Sequence, residues 1–154
     1  MSLTDKTGYR VIADARAIFL EHYKDSEFLQ AVEKHRGFSY TRDSSVRVAN
    51  KIRNANCEMQ LTTFNAPKSR AIASTSKKNG VTIISFNEAM LGDKSKKYGS
   101  KLLEQRVETL MHEFLHGVGY RHFTNYNWSY NRKTVPYKAA ELFVKNLKER
   151  SILA

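Results

Sequence analysis

Apolar residues in the first third of the chain recur three and four positions apart. Val11, Ile12, Ala15, Ile18 and Phe19 follow this spacing, as do Phe28, Leu29 and Val32 over a shorter stretch before Gly37. Both segments predict amphipathic helices. Val46, Ala49 and Ile52 mark one face of a third helix, with Asp43 or Ser44 in position to cap it. From Glu58 the pattern changes to short runs rich in Thr and β-branched residues, at 58–64, 71–76 and 81–86. These predict strands, and Asn79-Gly80 between the last two predicts an antiparallel hairpin. Ser100 then precedes a strong helix with apolar positions Leu103, Val107, Leu110, Met111, Phe114, Leu115 and Val118. A final helix starts at Pro136, a favoured first-turn residue, and carries Ala140, Phe143, Val144 and Leu147. The expected class is α+β, a small mixed sheet beside several helices, with the strong helix followed by a turn and a carboxy-terminal helix.

The chain has 154 residues, 41% of them hydrophobic. That suffices for one core, so the expectation is a single domain over 1–154, with residues 1–8 a tag or disordered. No apolar run reaches the roughly 18 to 20 residues of a membrane span. The first residues hold no apolar signal core, so a bacterial secreted or periplasmic location is expected only if an export signal has been replaced. Cys57 is the single cysteine, which excludes an intramolecular disulfide and reads as a half-buried small hydrophobe. Lys and Arg outnumber Asp and Glu by 26 to 15, for a net charge of +11. The excess is spread over Lys77, Lys78 and the stretches 94–101 and 145–150, and reads first as a solvated basic surface. An anionic partner is the sharper reading, but no nucleic-acid-binding motif accompanies the charge, so nucleic acid is not the expected partner.

The chemistry concentrates in His112-Glu113-Phe114-Leu115-His116-Gly117-Val118-Gly119-Tyr120-Arg121-His122, which holds three of the five histidines. On a helix, His112 and His116 lie about 40° apart, roughly opposite the face of Leu103, Val107, Leu110 and Phe114. Both imidazoles can therefore reach one ion. Glu113 projects about 100° from His112, beside the metal yet free to act on a zinc-bound water as general base. His122 is the best third ligand. A continuing helix would carry it about 15 Å along the axis, out of reach. Gly119, which accepts the left-handed conformation, lets the chain turn back, and Gly117 is expected to loosen the same end. His22 and His35 lack such partners and are expected on helix surfaces.

These eleven residues match His-Glu-x-x-His-x-x-Gly-x-x-His, and in them the chain resembles the metzincin zinc peptidases. The resemblance implies hydrolysis of peptide bonds in a protein or peptide substrate, with one Zn²⁺ per chain on His112, His116 and His122 and Glu113 as base. It also implies an extended substrate paired to the edge strand 71–76. No clamp for a free terminus is visible, so an endopeptidase is expected, and a monomer. Metzincins carry a methionine in the turn under the metal, whereas no Met follows Met111 here. Val135 stands at the methionine's place and Tyr137 at that of a tyrosine that stabilises the transition state, as in a minimal, bacterial relative. Two alternatives stay open: Glu141 on the last helix replaces His122 as third ligand, or zinc is structural in a module that binds an anionic polymer.

Overall fold

In a computed structural model the described residues are 1–92, 94, 97–124 and 127–154, so Ser95 and Lys96 of the basic stretch lie outside them. The chain opens with a strand, β1 (Ser2–Asp5), where a tag or disorder was expected. Leu3 is buried beside Met59, and the Lys6 N–H donates to the Leu61 carbonyl at 2.9 Å. A single inward apolar residue is too weak a pattern to predict a strand; pairing with a partner far along the chain creates it.

Three helices follow, α1 (Arg10–His22), α2 (Ser26–Lys34) and α3 (Ser45–Arg53). Of the two candidate caps for α3, Ser44 does the capping, its hydroxyl accepting from the Arg47 N–H at 3.2 Å. Next come β2 (Glu58–Phe64), β3 (Ala73–Lys78) and β4 (Val81–Asn87). β3 begins two residues later than expected because Ala71 and Ile72 wrap around Asn87, which donates to their carbonyls from its side chain and backbone at 3.0 and 2.8 Å. It runs on to Lys78 because the turn takes only Asn79 and Gly80, both at positive φ (52° and 79°).

The sheet order is β1-β2-β4-β3, with β1, β2 and β4 parallel and β3 antiparallel to β4 at one edge. Met59, Leu61, Thr82, Ile84 and Phe86 turn to a helix-covered face and are buried, while Gln60, Ile83 and Ser85 between them are only half-buried. The fold is α+β, with six helices among the described residues. The longest, α4 (Ser100–Val118), lies on β3 and β4 between α1 and the last helix, α6 (Val135–Glu149). Phe19 of α1 locks this arrangement, its ring centroid 5.1 Å from Phe114 of α4 and 6.4 Å from Phe143 of α6. The four-residue α5 (Trp128–Asn131) interrupts the loop between them.

His22 is buried rather than on the surface, because Nδ1 sits 2.7 Å from the Asp25 carboxylate at the junction of α1 and α2. His35 is half-buried against the Phe38 ring, and Cys57 is half-buried as expected. No described helix is long and apolar enough to cross a membrane.

Candidate metal centre

Val107, Leu110, Met111, Phe114 and Leu115 are buried and anchor α4 in the core. One turn apart on the same helix, His112 and His116 place their ring centroids 4.9 Å from each other. The helix ends at Gly119, whose φ of 117° is open to glycine and costly for other residues. Gly119 N–H donates to the His116 carbonyl and Tyr120 N–H to the Leu115 carbonyl, both at 3.0 Å. This Schellman pair reverses the chain. It returns His122 to 5.2 Å from the His112 ring and 4.8 Å from that of His116. Gly117 has a different role from the loosening expected of it. A Cβ there would lie 3.0 Å from Thr82 Cγ2, so its bare backbone lets α4 close onto β4.

One candidate ligand atom from each of His112, His116 and His122 lies within 4.8 Å of the others. Every ring is also tied to a backbone carbonyl: His112 to Pro136, His116 through Nδ1 to Tyr120 at 2.8 Å, and His122 through Nδ1 to Phe123 at 2.9 Å. In a neutral imidazole a donating Nδ1 leaves Nε2 as a lone pair. The Nε2 atoms of His112 and His116 stand 3.1 Å apart. Two lone pairs facing at that distance repel, and a cation between them removes the repulsion. Carbonyls that orient ligating imidazoles from behind are the usual second layer of a metal site. Burial, with the neighbouring His116 and His122, lowers the His112 pKa to about 3. His116 is lowered as well, by burial first, against the upward pull of the Tyr120 carbonyl and the Glu113 carboxylate. Both rings are thus held in the neutral form that binds metal. The donor set fits a metal ion on its own chemistry.

Glu113 is buried, and its carboxylate accepts a hydrogen bond from the Thr75 hydroxyl of edge strand β3. The same hydroxyl lies 3.3 Å from the Glu113 carbonyl. A cleft of about 560 Å³ opens between β3 and the end of α4, with Thr75, Glu113, His116 and His122 along its walls. Tyr137, half-buried in the first turn of α6, sits with its ring 4.4 Å from His112 and 5.0 Å from His122. Val135, two residues earlier, is buried. Glu141 is placed elsewhere: its carboxylate is exposed and ion-paired with Lys138 at 3.2 Å, outside the histidine group.

Nothing in the sequence marks three further residues as parts of this site. Thr75 is one threonine among several in a predicted strand. Trp128 packs edge-on against Tyr137 at 5.4 Å from the far side of a loop. Asp43, weighed only as a helix cap, instead takes the Tyr120 hydroxyl at 2.8 Å, Lys51 Nζ at 2.6 Å and Arg47 Nε at 3.2 Å. It thereby holds the residue whose carbonyl orients His116. No protein-family model matches the chain, and no curated protein and no solved structure matches it.

Proposed function

We propose that this protein is a zinc-dependent endopeptidase of metzincin type. The observation that carries the reading is a set of three converging imidazoles, each oriented by a backbone carbonyl, beside a buried glutamate that faces an exposed strand edge. His112, His116 and His122 would hold the ion. Three histidine donors leave a position open, the pattern of catalytic rather than structural zinc, which takes four protein ligands. Bound there, zinc would polarise the scissile carbonyl and bring the pKa of water to about 7.

The remaining steps belong to the chain itself. Glu113 takes the proton of the attacking water and passes it to the leaving amine. Thr75 keeps the carboxylate pointed into the cleft. β3 offers its free edge to an extended peptide, whose main chain pairs with it and lies across the histidines.

The test is zinc content and hydrolysis in single alanine variants. His112→Ala, His116→Ala and His122→Ala each lose zinc and activity, whereas Glu141→Ala keeps both. Loss of zinc from Glu141→Ala with retention in His122→Ala would move the third ligand to Glu141. Zinc-loaded wild type that binds an anionic polymer and cuts no peptide would favour the binding module.

A further inference from the structure

The charges along the cleft are one-sided. Lys77 at the end of β3 and Arg121 just past Gly119 both line it, both are exposed, and neither is ion-paired among the described residues. Among the described residues Glu113 is the one acidic residue on these walls, and its carboxylate is engaged by Thr75. Lys77 also has a defined place relative to the chemistry. Thr75 touches Glu113 and so marks the level of the reacting bond on the edge strand. Side chains alternate along a strand, so Lys77 faces the same way as Thr75, about 7 Å further on. Register agrees, since Thr75 pairs with Ile84 and Lys77 with Thr82, two residues buried under α4. Arg121 follows the reversal at Gly119, at this same end of α4.

We propose that Lys77 and Arg121 form a subsite for a carboxylate side chain, so that the cleft selects peptides carrying Asp or Glu about two residues from the scissile bond, on one side only. This rests on the peptidase reading above. A peptide paired to β3 advances about 3.3 Å per residue, which brings its second residue from the cut level with Lys77. Because both cations stand at one end of the cleft, an acidic residue on the other side gains nothing. Exposed pairs of this kind contribute modestly and are screened by salt. The expected preference in kcat/KM for Asp or Glu over Lys at that position is about threefold to thirtyfold at low ionic strength, shrinking in high salt.

The experiment is cleavage profiling of a peptide library, balanced for acidic and basic residues, with zinc-loaded wild type, Lys77→Glu and Lys101→Glu. Lys101 is an exposed cation at the opposite end of α4 and controls for net charge. Wild type and Lys101→Glu should enrich Asp and Glu about two residues to one side of the cut, and Lys77→Glu should lose or invert that enrichment. Cleavage without acidic enrichment, or an enrichment that survives in Lys77→Glu, overturns the subsite and leaves the peptidase standing. No cleavage of any library member by wild type overturns both.

Discussion

Tyr137 touches His112 with one edge of its environment and Trp128 with the other, at 4.4 and 5.4 Å between ring centroids. On the proposed peptidase reading the phenol would donate to the scissile carbonyl oxygen as negative charge develops on it, and such donors typically carry about 10²-fold to 10³-fold in kcat. Tyr137→Phe keeps the ring and its packing, so it should lose that factor with zinc content unchanged. A variant that retains the wild-type kcat would leave Tyr137 as a packing residue. At this scale the sequence is informative where residues share one local geometry. His112 and His116 are legible because one helical turn joins them, and His122 because Gly119 explains the reversal. Thr75, Trp128 and Asp43 are invisible because tertiary packing alone brings them to the site.

Between α4 and β4 the contact is set by one missing methyl group. Replacing Gly117 by Ala in the last turn of α4 would ordinarily add up to about 1 kcal/mol of helix propensity. Here the added Cβ meets buried Thr82 at 3.0 Å, and a β-branched side chain has little rotamer freedom to yield. Overpacking of this kind costs about 1 to 3 kcal/mol, so Gly117→Ala should be net destabilising in urea unfolding. On a Thr82→Ser background, which lacks Cγ2, the same change should become neutral or stabilising. Equal destabilisation on both backgrounds would show that Thr82 is not the obstacle. The long elements were legible from their periodicity, and the hairpin from its Asn-Gly turn. β1 and α5 were not, since four residues each, with one or no inward apolar residue in a repeating pattern, leave too little to recognise.

Across the whole molecule, Asp43 joins the start of α3 to the turn that follows α4. The hydrogen bond from Lys51 lowers the Asp43 pKa below its ordinary 3.8, and the Tyr120 hydroxyl lowers it further against the opposing effect of burial. A depressed carboxylate pKa stabilises the fold above the unfolded value, and that contribution is lost as pH falls through the folded one. Asp43→Asn should therefore be less stable than wild type near neutral pH, with the gap closing below about pH 4. A gap that stays constant down to pH 2 would remove this link. The helix order and the α+β class follow from sequence pattern, whereas the path by which α3 supports the histidine group depends on Asp43 meeting Tyr120 from a separate part of the chain.

On the proposed reading, Glu113 moves the proton during peptide hydrolysis while His112, His116 and His122 alone hold the metal. Glu113→Gln separates the two, because the amide preserves size and can still meet Thr75 but cannot accept the proton of the attacking water. The measurement is the rate of peptide cleavage by this variant and by wild type at equal zinc content. One zinc per chain with cleavage reduced to background is the expected result; cleavage at the wild-type rate would show that Glu113 is not the base.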